Sequence, residues 1–164
     1  MDSLGEILRR LHQSKVQFVI IGGLAAVKHG TSYVTYDVDI CVPKDAGNFK
    51  LIAEAIRDLN PRFRQRRDLP FELTPERLNG LNNLYLLTDL GPLDCLGDVA
   101  AIGDFDAVVQ ESELAKFPFG ECRMLKIGAL IRAKEAIGRP QDHFVTTQLR
   151  AIQERIEAQK KQQN

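Results

Sequence analysis

Two aspartates, Asp37 and Asp39, stand two residues apart in Val34-Thr-Tyr-Asp-Val-Asp-Ile40. In a strand, successive side chains alternate faces, so both carboxylates point the same way. Like charges on one face repel, and removing them from water costs energy. A cation between them relieves both penalties, and carboxylate oxygens are suitable ligands for magnesium. Just upstream, Phe18-Val-Ile-Ile21 reads as a buried strand that ends in the pair Gly22-Gly23, ahead of a short helix. Backbone N–H groups at such a turn, with the positive end of the helix behind them, suit an anion. A third acid, Asp94, lies inside the apolar run Leu93-Asp-Cys-Leu96, where a carboxylate needs a reason. If its strand neighbours the first acidic one, three carboxylates face one cleft beside a phosphate-binding turn. That arrangement suits metal-assisted transfer to an attacking hydroxyl. A plainer account also fits: acids solvated at a sheet edge, and glycines that only mark a strand-to-helix turn. The glycines match neither the Walker pattern nor GxGxxG.

The elements that must hold these residues are legible in the hydrophobic pattern. Leu4, Ile7, Leu8 and Leu11 make one apolar stripe, with Ser3 as the expected N-cap and Glu6 as its capping-box partner. Phe18–Ile21 is expected as a central strand, Leu24–His29 as a short helix closed by Gly30, and Val34–Val42 as a second strand stopped by Pro43. Ala46–Leu59 has helical spacing and ends at Asn60-Pro61. Thr74-Pro75 marks a helical start. Asn83–Gly97 reads as two strands around a turn near Asp89–Pro92. Asp104 and Asp106 are expected in a loop, Phe117–Glu121 in a turn, and Cys122–Leu125 in a last strand. Ile127–Ile137 and Gln141–Gln159 close the chain as helices. The fold class is therefore α+β, with α/β-like order: a small mixed sheet flanked by helices. Residues 1–125 form the expected core, and residues 126–164 a C-terminal helical segment packed on it.

The 164 residues carry 22 basic and 22 acidic side chains, for a formal net charge of zero. No global basic field exists, so non-specific DNA or RNA binding is not expected. One local exception is Arg62, Arg64, Arg66 and Arg67, four arginines within Arg62–Asp68. This stretch reads as a solvated edge or loop, or as a contact for phosphate or RNA. Cys41, Cys95 and Cys122 form no CxxC pair, and with the scattered histidines they exclude a structural zinc motif. They read as buried free thiols. The opening segment MDSLGEILRRLHQ has no apolar signal core, and no stretch reaches membrane-spanning length. A cytoplasmic location without a membrane partner is the expectation.

With these residues in view, Gly22–Gly30 followed by Thr35-Tyr-Asp-Val-Asp39 resembles the signature of polymerase-beta-type nucleotidyltransferases. The likeness is to the minimal bacterial and archaeal branch that includes abortive-infection and antitoxin-system members. It extends to Leu125–Asp142, which is similar to a Leu-x-x-Lys helix followed by Gly-Arg-Pro-x-Asp. The resemblance implies the nucleotidyltransferase fold. It also implies Mg2+ (or Mn2+) held by Asp37, Asp39 and Asp94, which would also be the catalytic acids. Gly22, Gly23, Thr35, Lys134 and Arg139 would serve the nucleotide. Arg139 and Asp142 would alternatively tie the last two helices together. The implied activity moves a nucleoside monophosphate from a nucleoside triphosphate to a hydroxyl on a protein, a small molecule or an RNA end. The other reading is a non-catalytic binding or regulatory partner of toxin–antitoxin type, and a homodimer or partner protein is compatible with either. Tyr33 stands where the branch commonly carries arginine, so Lys28, Lys134 or a central arginine would have to supply that charge.

Overall fold

Asp2, not Ser3, caps the first helix, α1 (Ser3–Gln13), accepting from the Gly5 backbone N–H at 2.7 Å. Glu6 does not close a capping box; it turns along the helix to pair with Arg9 and Arg10. In this computed structural model, which describes residues 2–164, Leu4, Ile7, Leu8 and Leu11 are all buried, as their spacing requires. The chain then runs through β1 (Val19–Ile21), α2 (Gly22–His29) and β2 (Val38–Cys41). It continues through α3 (Ala46–Ala55), a 3-10 turn at Arg57–Leu59, β3 (Arg62–Phe63) and α4 (Pro75–Leu78). Next come β4 (Asn83–Thr88), β5 (Gly91–Leu96) and the two-residue strands β6 (Asp98–Val99) and β7 (Gly103–Asp104). The last elements are α5 (Phe105–Gln110), β8 (Ser112–Phe117), β9 (Gly120–Leu125), α6 (Ile127–Ile137) and α7 (Asp142–Gln162).

One seven-stranded mixed sheet has the order β3-β4-β5-β2-β1-β9-β8, and β6 and β7 pair separately. The β1 strand lies inside it, antiparallel to β2 and parallel to β9, and β2 runs parallel to β5. Val19, Ile20 and Ile21 are buried, which is why this segment is apolar without alternation. Ile20, Ile40 and Leu93 are fully buried, and each such side chain contributes roughly 1.5–3 kcal/mol of transfer free energy. This is the mixed α+β architecture expected from the sequence. Among the described residues, no helix is long and apolar enough to cross a membrane.

Several boundaries differ from the pattern-based expectation. Gly22 and Gly23 are the first residues of α2, not a turn ahead of it. The β2 ladder begins at Val38, so Val34–Asp37 lies outside the strand. The helix from Ala46 gives way to the 3-10 turn before Leu59, and Asn60 takes a left-handed φ of +50°. Asp104 ends β7 and caps α5 through Ala107 N–H at 3.1 Å, and Asp106 lies in that helix; neither belongs to a free loop. The strand β8, which the hydrophobic pattern does not mark, forms a hairpin with β9. The α7 helix stays regular to Gln162.

Candidate active site

The pairing registers place Asp39 opposite Ile21 on β1 and opposite Asp94 on β5, and Asp94 opposite Tyr85 on β4. Directly paired residues share a sheet face. A row Ile21–Asp39–Asp94–Tyr85 therefore crosses four strands, and the two acids are immediate neighbours in it. The expected adjacency of the two acidic strands is present.

The glycines pack against this row. Gly22 has φ +68°, and a Cβ added there would lie 2.3 Å from Asp39 Oδ2. Only glycine suits both the backbone angle and the close approach. At Gly23 an added Cβ would meet Thr35 Oγ1 at 2.8 Å and the Tyr33 ring at 2.9 Å. The α2 N-terminus is thus pressed onto the acid-bearing segment by the absence of side chains. Thr35 braces its own loop, with Oγ1 3.3 Å from the Asp37 carbonyl and 3.4 Å from the Asp37 nitrogen.

A cleft of about 220 Å³ opens here, and Gly22, Asp39, Tyr85, Asp94, Lys134 and Arg139 are among its walls. Gly23, Thr35 and Asp37 do not line it. Asp37 sits one residue ahead of β2, close enough for its charge to act on both other acids. Burial pushes the Asp39 carboxyl up to about 6, with Asp94 and Asp37 adding to the rise and Lys134 and Arg139 opposing it. Burial also raises Asp94, against the pull of Arg64.

In the sequence, Arg64 stands out only as part of a basic run. Its guanidinium donates to Asp94 Oδ2 at 2.7 Å and lies 5.5 Å from the centre of the Tyr85 ring. Arg62 and Arg66 pair with Asp89 and Asp68, so most of the basic run is neutralised within the chain. The edge-strand expectation holds for Arg62–Phe63. The opposite oxygen, Asp94 Oδ1, is buried without a hydrogen-bond partner. An unpartnered buried acceptor costs about 1–3 kcal/mol.

Another wall is built by α6 and the turn that follows it, through Lys134, Ile137 and Arg139. Lys134 is buried, and its Nζ lies 3.5 Å from Asp142 Oδ1. Arg139 donates through Nε to Asp142 Oδ2 at 2.8 Å. Asp142 therefore ties α6 and α7 together, and in doing so sets two cations at the cleft. It makes no side-chain cap on α7. His29 contacts the Leu125 carbonyl at 2.7 Å and has a packing role. Cys41, Cys95 and Cys122 are buried free thiols, as expected.

Among the described residues, no three or more histidine, cysteine, aspartate or glutamate side chains are grouped to hold a metal ion. The observed unit is a pair, Asp39 and Asp94, with Asp37 beside it. Still, a repelling half-buried pair and an orphaned carboxylate oxygen are the features that a divalent cation would satisfy.

No protein-family profile matches the chain, and no curated protein matches it. Solved structures do. A lincosamide antibiotic adenylyltransferase, LnuA, in its lincomycin-bound form aligns with a TM-score of 0.62 at 17% identity, over 92% of this chain and 96% of that one. A putative nucleotidyltransferase from Thermotoga maritima aligns at 0.56 and 17% identity, over 85% and 84%. ANT(2")-Ia in complex with adenylyl-2"-tobramycin aligns at 0.55 and 17% identity, over 88% and 83%. At such identity the likeness is one of architecture, and the architecture of this chain is the nucleotidyltransferase-like fold.

Proposed function

We propose that this chain is a distant member of the polymerase-beta-like nucleotidyltransferases. It would move a nucleoside monophosphate from a nucleoside triphosphate to a hydroxyl, releasing pyrophosphate. The observation that carries the reading is the register pairing of Asp39 with Asp94, against the Gly22 backbone at the start of α2. Asp39 and Asp94 are the residues that would hold a divalent ion, magnesium or manganese. Such an ion supplies charge neutralisation and acidifies the acceptor hydroxyl. The chain does the rest. The α2 N-terminus receives phosphate through backbone N–H groups. Lys134 and Arg139, anchored by Asp142, offset phosphate charge from the α6 wall. Arg64 supplies a positive charge at the acids, where Tyr33 cannot. Asp94, whose free oxygen is buried, orients the hydroxyl and accepts its proton. Gly23 and Thr35 shape the loop that carries Asp37, and Asp37 adds its charge to the two other acids.

The test is calorimetric titration with nucleoside triphosphates, with and without magnesium, on wild type, Asp39→Asn and Asp94→Asn. Magnesium-dependent binding that both variants lose is the expected result. A folded wild type that binds none of them overturns the enzyme reading. The Arg64–Asp94 ion pair favours one alternative, a non-catalytic relative acting as a binding or regulatory partner, as in toxin–antitoxin pairs. In that case Arg64 would stand permanently where a cation would otherwise sit.

A further inference from the structure

Beyond the acid cleft lies a second concavity that the proposed chemistry leaves unused. It has a volume of about 260 Å³, and its apolar walls include Phe63, Leu69, Leu73, Leu81 and Tyr85. Tyr85 lines both hollows and pairs directly with Asp94 on the neighbouring strand. The two sites are thus separated by one side chain, over which Arg64 reaches to Asp94.

Its charged rim is already committed. Arg66 is bound to Asp68 through two nitrogens, at 3.1 and 2.9 Å. Arg77 donates to the carbonyls of Pro70 and Glu72 and covers the Phe63 ring at 5.3 Å. Arg66 shares its charge with Asp68 and Arg77 is held over Phe63 by backbone carbonyls, so the hollow offers an apolar floor more than an ion site. The Tyr85 hydroxyl meets Asn83 Nδ2 at 3.3 Å, which keeps a polar group at the boundary between the two sites. The volume is slightly below that of drug-sized pockets, so one apolar ring system fits and the rest of the molecule projects outward.

We infer that this pocket seats the acceptor, a small neutral molecule with an apolar body whose hydroxyl extends past Tyr85 to Asp94. This rests on the transferase reading above and names its second substrate class.

The probe is 2-(2-naphthyl)ethanol, neutral, fluorescent and carrying one hydroxyl, titrated into the intact chain in the presence and absence of magnesium–ATP. Saturable binding by wild type is expected, weakened at least tenfold in Leu69→Trp, which fills the pocket, and in Leu69→Asp, which charges it. Both variants should keep the wild-type circular dichroism and magnesium–ATP affinity. Alcohol binding that is absent in wild type, or unchanged in both variants, overturns the inference while leaving the nucleotide site standing. Loss of ATP and alcohol binding together in a folded Leu69 variant also overturns it, because the pocket would then belong to the nucleotide. So does light scattering that shows a wild-type dimer turned monomeric by Leu69→Asp, since a second copy would then be the occupant. Alcohol binding without any nucleotide binding in wild type overturns the transferase reading, and with it the acceptor role.

Discussion

Asp94 lines the cleft and Asp142 anchors two of its cations, Lys134 and Arg139; both carboxylates are withdrawn from water, and they are treated in opposite ways. Asp142 has two cations, Lys134 at 3.5 Å and Arg139 at 2.8 Å, and both of its oxygens are engaged. Asp94 has one, Arg64, and keeps an oxygen buried without a donor beside a second acid. The first arrangement is electrostatically complete and joins two helices. The second is left incomplete by the protein alone, which is what the proposed cation would remedy.

The largest effect should come from breaking the complete side. Asp142→Ala leaves Lys134 buried without its ion-pair partner and should destabilise the fold by about 3–5 kcal/mol in urea unfolding. A loss below about 1 kcal/mol would mean that the pair is worth no more than a surface bridge.

Gly22→Ala attacks the contact that sets the incomplete side. Its φ of +68° and the 2.3 Å approach to Asp39 predict a loss of roughly 1–3 kcal/mol in thermal unfolding. Magnesium–nucleotide binding should weaken with it, because Asp39 must move. Wild-type stability in the variant would show that the acid has room to shift.

Asp39→Asn sharpens the contrast by changing sign. The wild-type group has its folded pKa raised from 3.8 to about 6. It therefore favours folding while protonated, below pH 4, and a penalty grows as pH rises through 4 to 6. The full penalty above pH 6 is of order 2–3 kcal/mol. An asparagine at this position does not titrate, so at pH 8 the variant should be more stable than wild type, and the decline between pH 4 and 6 should shrink to the part that Asp94 contributes. Added magnesium should stabilise wild type and not the variant. Identical pH profiles for the two proteins would remove the claim that the acid pair is strained.

The smallest change is expected from Arg64→Gln. It exchanges a partly exposed ion pair for a neutral contact, at a cost of about 1 kcal/mol. If Arg64 serves the nucleotide, binding should weaken. If it only blocks the acids, magnesium affinity should rise instead. Calorimetry with magnesium alone and with magnesium–ATP separates the two.

Much of this was written in the chain itself. The buried character of Phe18–Ile21, the stripe of α1, the Asn83–Gly97 hairpin and the ends of α6 follow from hydrophobic period and from turn and capping residues. These are local properties, settled within a few residues. The types and spacing of Asp37, Asp39 and Asp94 also announced acidic chemistry. The sequence alone could not say that β2 starts at Val38, so that Asp39 and Asp94 share a register while Asp37 stands one residue outside the ladder. A strand's extent depends on a partner from elsewhere in the chain, and β5 offers its first register partner, Leu93, to Val38. Nor could it show that Arg64, thirty residues from Asp94, would be the cation to reach it. Ion pairs of that separation have no periodicity, because the sheet closes the distance. The same holds for the pocket beside Tyr85, whose walls come together only when the β3–β4 edge and the loop from Gln65 to Leu73 fold over one another. The residues determined which chemistry was on offer, and the tertiary structure decided which of them share a cleft, since only the packed sheet fixes distances between segments remote in the chain.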